Sequence, residues 1–236
     1  MRALALGILF AAMAARFGAA APYNVVEKNI ATLQRDLSAG RVTSEALVRI
    51  YLARIHAVDR NGAALHSVIS LNPTALADAR KLDAERRVGH LRGPLHGIPI
   101  LAKDNIETAD PVATTAGSLA LAGNVTRRDA PVVARLRAAG VVILGKTNLS
   151  EWANIRSSHS ISGWSAIGGL VKNPYVLDRS ACGSSSGSGA AVAASLAAAD
   201  DFGPRGRSVA EELFDSQSVT RRWTELLADV HEGRIG

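Results

Sequence analysis

The chain has 236 residues, 47% of them hydrophobic, which is enough for one domain or a little more with a buried core. Aromatic residues make up only 4%, so the core is expected to be aliphatic. The net charge is +6, but the basic residues are scattered along predicted helices, so we predict no nucleic-acid partner. A single cysteine, Cys182, excludes an intramolecular disulfide, and the six histidines lack paired ligand spacing. No metal or organic cofactor is predicted.

The amino terminus has the form of a targeting segment. Arg2 supplies a short positive region, Ala3–Ala15 is apolar but short for a bilayer span, and Gly18–Ala21 offers small residues for cleavage. We interpret residues 1–21 as a secretory signal peptide. The protein would then be secreted or periplasmic, without stable membrane association after cleavage. The alternative is an uncleaved membrane anchor.

Two amphipathic helices are predicted before the core. Ile30–Leu37 has helical spacing and precedes Gly40, a plausible helix end. Thr43 can begin a second helix, whose apolar face runs to Val58. A short strand is predicted at His66–Leu71, which alternates weakly and carries β-branched residues.

Helices and strands then alternate. Pro73 can lie in the first turn of a helix that runs to about Arg87. Apolar runs predict buried strands at Ile98–Ala102 and Val141–Leu144, on either side of a helix at Ala130–Ala139. An alanine-rich helix is predicted at Ala190–Ala199. This alternation indicates an α/β layer architecture.

Lys103 closes the first of these two apolar strands. An ordinary lysine, with a pKa of about 10.4, is protonated at neutral pH and is a poor base. Burial against Ile98, Ile100 and Leu101 would lower that pKa, so Lys103 is a candidate general base. The alternative is a surface or salt-bridged lysine.

A serine and glycine run, Cys182–Gly189, precedes the alanine-rich helix. Its glycines permit positive φ angles and close backbone approach, and three consecutive hydroxyls begin at Ser184. The N–H groups of the following helix would point at this turn and favour an anion. The alternative is a flexible linker. A phosphate-binding loop is disfavoured because no Lys-Ser or Lys-Thr pair follows the glycines.

These motifs together resemble the amidase signature hydrolases, most nearly their peptide-amidase-like members. The resemblance implies an α/β/α fold with a mixed central sheet, of which residues 25–199 would form the N-terminal half. It implies a small-molecule amide or peptide amide as substrate and makes no prediction of oligomeric state. The blocks that carry it are Gly93–Pro99, Lys103–Asn105, Thr114–Ser118, Ile143–Ala153, Gly163–Ser165, Asn173–Tyr175 and Cys182–Gly189.

The resemblance also implies a Ser-cisSer-Lys catalytic triad. Lys103 matches the lysine base of the family. Ser184 matches the serine on a cis peptide bond that relays a proton between the lysine and the nucleophile. A cis bond before a residue other than proline costs a few kcal/mol and is kept where the surroundings enforce it.

The chain departs from the family pattern at the place of the triad's nucleophile. The family carries it about two dozen residues after the cis serine, and here that place ends at Ser208. Pro204 lacks an N–H for an oxyanion hole, and two arginines replace small residues. Ser208–Glu211 has the form of a capping box, so we interpret Ser208 as the N-cap of an amphipathic helix in a non-family tail, 200–236.

The predicted function is therefore amide hydrolysis through a triad that is incomplete in this chain. One alternative is an inactive remnant of such an amidase, truncated or chimeric after about residue 199. Another takes Gly183–Gly187 as a Gly-x-Ser-x-Gly elbow, with Ser185 as the nucleophile of an α/β-hydrolase.

Overall fold

The computed structural model describes residues 23–155 and 157–199. The predicted signal peptide, Ser208 and the predicted tail helix lie outside these residues. A π-helical stretch, Ile55–Asn61, directly continues the second helix. The α-helices and strands of the described chain are α1 (Ile30–Ser38), α2 (Ser44–Arg54), α3 (Ala75–Arg87), α4 (Pro131–Ala138), α5 (Ser186–Ala193), β1 (Val68–Leu71), β2 (Pro99–Lys103), β3 (Val142–Thr147), β4 (Trp164–Ser165) and β5 (Gly169–Leu170).

The central sheet has the order β1-β3-β2. Strand β2 is parallel to β3, whereas β1 is antiparallel to it, so the sheet is mixed as predicted. Every residue of the middle strand β3 is buried. In the register of the parallel pair, Lys103 lies opposite Thr147 and Ala102 lies opposite Lys146.

Helices cover both faces of this sheet. Val142 and Leu144 pack with α1, α2 and α3, whereas Val141 and Ile143 pack with α4. Successive side chains of a strand point to opposite faces, so the strand separates two helical layers. The expectation of an α/β/α fold is confirmed. The larger core is aliphatic apart from one buried tyrosine; its main buried members are Leu33, Leu37, Leu47, Val48, Tyr51, Leu82, Ile98, Val142 and Leu144.

One predicted boundary agrees with the structure and two differ from it. The Thr43 side chain accepts a hydrogen bond from the Ala46 N–H at 3.1 Å and so caps α2 as predicted. Pro73 lies two residues before α3 rather than within its first turn. Strand β3 continues past Leu144 to Thr147, because the polar end of the strand pairs with β2 on one side and β1 on the other.

The prediction for the last helix was wrong in its bounds. Helix α5 spans Ser186–Ala193, four residues earlier than expected at its start. It ends before Ser195, whose φ of 53° is left-handed and incompatible with a continued helix. The chain beyond returns to the core, where Leu196 is fully buried and the Ala198 N–H donates to the Pro99 carbonyl at 3.1 Å. The helix therefore ends before the last alanines, although alanine favours helix, because tertiary packing outweighs helix propensity here.

A small hairpin formed by β4 and β5 was not predicted, since two-residue strands carry no periodic signal. In the described part of the chain, no helix combines the length and the apolar character that a membrane span requires.

Candidate active site

Lys103 and the serine turn meet at the carboxyl end of β2. The Lys103 Nζ donates to the Ser185 Oγ at 2.9 Å and to the Ser184 Oγ at 3.3 Å. The fold thereby brings together the two residues predicted for the site, although 81 positions separate them in the sequence. It also places Ser185 closer to the lysine than Ser184.

Close packing against the end of β3 positions the turn. The Gly187 N–H donates to the Asn148 carbonyl at 3.1 Å. A Cβ on Gly187 would lie 2.5 Å from the Asn148 nitrogen and 2.5 Å from the Ser67 carbonyl oxygen, so only glycine fits there. One residue later, the hydroxyls of Ser188 and Thr147 lie 2.7 Å apart and join α5 to β3.

Two serine hydroxyls hold the start of the turn. The Ser150 Oγ donates to the Gly183 carbonyl at 3.2 Å, and the Gly183 N–H donates to the Ser162 Oγ at 2.8 Å. Cys182 and Gly183 both have left-handed φ angles, 56° and 75°, which reverse the chain before α5. The turn is therefore ordered by specific contacts and is not a flexible linker.

Burial lowers the pKa of Lys103 below its ordinary value of 10.5. The cause is loss of hydration of the ammonium group. Lys103 forms no ion pair with a carboxylate of the described residues, because the neighbouring Asp104 turns away and accepts hydrogen bonds from the hydroxyl and the N–H of Thr115. Burial raises the pKa of Asp104. A lysine that lacks a counter-ion and is partly dehydrated is suited to lose its proton.

Sequence reasoning missed a second lysine in the same region. Lys146 on β3 is fully buried, and its Nζ donates to the Ile106 carbonyl at 2.6 Å and to the Thr114 Oγ1 at 2.7 Å. Burial lowers the pKa of Lys146. These bonds brace the loop that follows Lys103. The available signal was a charged residue two positions after the apolar run Val141–Leu144, in a strand that is central in the sheet.

The peptide bond at Ser184 differs from the expectation. The described residues contain no cis peptide bond, so the bond before Ser184 is trans, and the implied cis geometry is wrong for this structure. The cis form costs about 3–4 kcal/mol and needs surroundings that enforce it. Ser184 contacts the Lys103 ammonium from the trans form.

A cavity of about 280 Å³ lies in the loop between β3 and the hairpin. The same loop contributes Ser150 and Ser162, which contact Gly183 of the serine turn, although no residue of the turn lines the cavity. Its lining is partly aromatic and consists of Glu151, Trp152, Asn154, Ser157, His159, Ser160, Ile161 and Trp164.

Other kinds of site find little support in residues 23–155 and 157–199. No three His, Cys, Asp or Glu side chains among them are grouped to hold a metal ion. Cys182 is exposed. The α/β-hydrolase alternative is wrong as a fold, because that elbow directly follows a strand, whereas the nearest preceding strand here is the short β5, which ends at Leu170.

Comparison with known proteins gives consistent matches. The family model described as "Amidase" matches residues 46–200. The solved structure of the native peptide amidase from Stenotrophomonas maltophilia superposes with a TM-score of 0.72 and 58% sequence identity, over 75% of this chain and 36% of that chain.

Sequence relatives include a "Probable amidase" of Arabidopsis thaliana, 47% identical over 178 residues, covering 75% of this chain and 34% of that protein. A glutamyl-tRNA(Gln) amidotransferase subunit from Symbiobacterium thermophilum is 42% identical over 165 residues, covering 70% of this chain and 32% of that protein. The chain spans about a third of the length of these relatives.

Proposed function

Because the chain belongs to the amidase family, we propose that it hydrolyses the C–N bond of carboxamides or peptide amides, with Lys103 as general base and Ser184 as proton relay. Two comparisons support this substrate class: one similar structure is named a peptide amidase, and one relative is named as part of an amidotransferase. Those proteins are longer than this chain, and we propose that the chain shares their activity on amides.

The contact between Lys103 and the serine turn carries the proposal. A neutral lysine accepts a proton from a hydroxyl, and the lowered pKa of Lys103 increases its neutral fraction at any pH. The Ser184 Oγ, 3.3 Å from the Nζ, would pass the proton from the attacking hydroxyl to the lysine. The lysine would then return the proton to the leaving amine, and water would hydrolyse the acyl-enzyme.

The family's place for the attacking serine corresponds to Ser208, which lies outside the described residues. Our interpretation of Ser208 as a helix N-cap stands as a prediction. The proposal therefore assigns the base to Lys103 and the relay to Ser184.

The cavity beside the turn is proposed to receive the apolar part of the substrate. Trp152 and Trp164 supply aromatic surface, and aromatic side chains commonly bind apolar groups in enclosed sites. Replacing Trp164, which is exposed, is expected to raise KM more than it lowers kcat. An unchanged KM for amides with large acyl groups would argue against this assignment.

Purified full-length chain incubated with primary amides and C-terminal peptide amides tests the proposal, with released ammonia as the readout. We expect Lys103→Ala to lower turnover by about a hundredfold or more, the usual contribution of a general base. The matched control is Lys81→Ala, since Lys81 is an exposed lysine on α3. Turnover that survives Lys103→Ala would overturn the role of Lys103. A folded wild-type protein without turnover would favour the inactive alternative.

Export is a separate proposal, supported by the pattern of residues 1–21. Expression of the whole chain in a bacterial host should yield a periplasmic or secreted protein whose first residue lies close to Pro22. Intact Met1 on a cytoplasmic protein, determined by amino-terminal sequencing, would contradict it.

A further inference from the structure

We infer that the cavity between β3 and the hairpin binds a peptide group on the acyl side of the substrate, with the Trp152 indole N–H donating to its carbonyl and the Asn154 side-chain oxygen accepting from its N–H. N-acylated amino acid amides and peptide amides would then be preferred over amides of simple carboxylic acids. The inference rests on the proposed amide hydrolysis for the reaction, and on two polar atoms of the cavity wall for the ligand.

Two polar atoms of residues that line the cavity have no hydrogen-bond partner. The Trp152 Nε1 and the Asn154 Oδ1 are both buried and form no hydrogen bond with the described residues. Other polar groups of the lining are already satisfied: Glu151 accepts from a backbone N–H at 2.9 Å, and the Ser157 Oγ accepts from another at 3.0 Å. A buried polar atom without a partner costs free energy, so these two atoms favour a ligand that supplies their partners.

The chemistry of these two atoms selects the class of ligand. An indole N–H only donates a hydrogen bond, and an amide oxygen only accepts one. A ligand that satisfies both therefore presents an acceptor and a donor, as a peptide group does with its carbonyl and its N–H. A carboxylate offers acceptors alone and an ammonium offers donors alone, so neither satisfies the pair.

The backbone that carries both residues has an unusual conformation. Trp152, Ala153 and Asn154 are consecutive residues with left-handed φ angles of 50°, 54° and 68°. The Trp152 N–H donates to the Ala116 carbonyl at 2.9 Å and the Ala153 N–H donates to the Ser150 carbonyl at 2.8 Å, and these bonds hold the conformation. Left-handed angles are unfavourable for residues other than glycine and cluster at ligand-binding sites. Here they place the side chains on either side of Ala153 in the lining of one cavity.

The dimensions of the cavity suit a small part of a substrate. Its volume of about 280 Å³ is close to the lower end of the usual range for ligand pockets, about 300 to 1,000 Å³. Ile161 and Trp164 also line it and are 63% and 39% exposed, so their side chains can change rotamer and admit a ligand to the shielded atoms without loss of core packing. The loop that carries the cavity contacts Gly183 through Ser150 and Ser162, which connects it to the serine turn.

Nuclear magnetic resonance of the indole N–H groups tests the site without requiring amide turnover. The full-length chain has three tryptophans, and the indole signal that is lost in Trp152→Phe identifies Trp152. The probes are N-acetyl-leucine, which carries a peptide group, and isocaproate, which has the same carboxylate and apolar chain without that group. We expect N-acetyl-leucine to move the Trp152 indole proton signal downfield, as a new hydrogen bond does, and isocaproate to leave it in place.

Two variants separate hydrogen bonding from packing, with affinities measured by isothermal titration calorimetry. Trp152→Phe keeps an aromatic ring and removes the donor. Asn154→Gly removes the acceptor, and glycine adopts the left-handed φ of 68° freely, so the turn is kept. Each variant should reduce the preference for N-acetyl-leucine over isocaproate by roughly three- to tenfold, the usual effect of one lost hydrogen bond. Asn61→Ala, at an exposed asparagine outside the cavity lining, should keep the wild-type preference, and melting temperatures identify any unfolded variant.

The outcomes separate this inference from the proposed function. A downfield shift of the Trp152 signal in a folded chain that releases no ammonia from N-acetyl-leucinamide would support the inference and overturn amide hydrolysis. Ammonia release by a chain whose Trp152 signal does not respond to N-acetyl-leucine up to its solubility limit would overturn the inference and leave amide hydrolysis standing. A preference that survives both folded variants would overturn it as well.

Discussion

Two lysines lie on neighbouring strands, offset by one residue in the register of the β2–β3 pair, and their side chains contact different groups. Lys103 on β2 points to the serine turn, whereas Lys146 on β3 pairs in register with Ala102 and points to Ile106 and Thr114. Burial lowers the pKa of both lysines, but of the two only Lys103 contacts hydroxyls of the serine turn. Lys146 is held by two acceptors and braces the loop.

The pH dependence of activity should report on Lys103. Its pKa is lowered below 10.5 in the folded protein, so the reactive neutral form appears as pH rises through that lowered value. We expect kcat/KM for amide hydrolysis to increase with pH and to level off below pH 10.5. A rate that falls steadily between about pH 6 and pH 10 would contradict a lysine base.

The lowered pKa of Lys103 also makes the free energy of unfolding depend on pH. Between the lowered pKa of Lys103 and its unfolded value, the unfolded chain binds more protons, so this residue's contribution to stability rises with pH across that window. Activity and this increment of stability are therefore expected to increase together.

At the scale of elements, two glycines of α5 differ in the space around them. Gly187 packs against backbone atoms of Asn148 and Ser67 that cannot move aside, whereas a Cβ on Gly189 would meet no atom within 4 Å. Both residues lie in the same helix. Helix propensity is the same for both glycines, so a substitution is expected to have different effects at the two positions because their tertiary contacts differ.

We expect Gly187→Ala to destabilise the protein by roughly 2 kcal/mol or more and to displace the serine turn from Lys103, because overpacking a close contact costs about 1–3 kcal/mol. Gly189→Ala should be neutral or stabilise by about 0.5–1 kcal/mol through helix propensity. Urea unfolding of the two variants measures the difference. Equal effects at the two positions would show that packing against β3 is unimportant.

The start of α2 offers a second test at this scale. Thr43 caps the helix through the Ala46 N–H, so Thr43→Ala is expected to lower the free energy of unfolding by about 1 kcal/mol. Thr43→Ser keeps the hydroxyl and should stay within a few tenths of a kcal/mol of wild type. A loss of the same size in both variants, by thermal or urea unfolding, would assign the effect to something other than the cap.

For the whole molecule, one buried carboxylate joins the described amino-terminal segment to the helical layer. Asp36 on α1 accepts hydrogen bonds from the Tyr23 hydroxyl, the Lys28 ammonium and the Arg41 guanidinium. These donors hold the pKa of Asp36 well below its ordinary value of 3.8. A depressed carboxyl pKa contributes stability above the unfolded value, and that stability is lost as pH falls below it.

Asp36→Asn is therefore expected to cost about 2 kcal/mol at pH 7, the scale of hydrogen bonds to a charged group, and to cost less near pH 3. Urea unfolding at the two pH values measures this change. Asp78→Asn, on α3, serves as the matched control and should cost less than Asp36→Asn at pH 7, since the hydrogen bond that the Asp78 carboxylate accepts comes from the neutral hydroxyl of Thr74. A loss for Asp36→Asn that is the same at both pH values would show that its charge is not the stabilising feature.

Local patterns in the chain were sufficient for much of the fold. Apolar periodicity and capping chemistry located α1 and α2, and apolar runs located β2 and most of β3, because these signals depend on neighbours close in sequence. The layered architecture followed from their alternation. The motif blocks around Lys103 and the serine turn led to the amidase family, which the comparisons confirm.

Only the tertiary structure decided the remaining features. The bounds of α5 depend on the close packing of Gly187 against Asn148 and on the return of Leu196 to the core, contacts that join distant segments. The burial of Lys146 depends on β3 lying between two strands. The proximity of Ser185 to Lys103 depends on how α5 packs against the sheet. The sequence by itself determined the family and the candidate site residues, and long-range packing decided which serine hydroxyl lies nearest the Lys103 ammonium, because distances between remote residues are set by the whole fold.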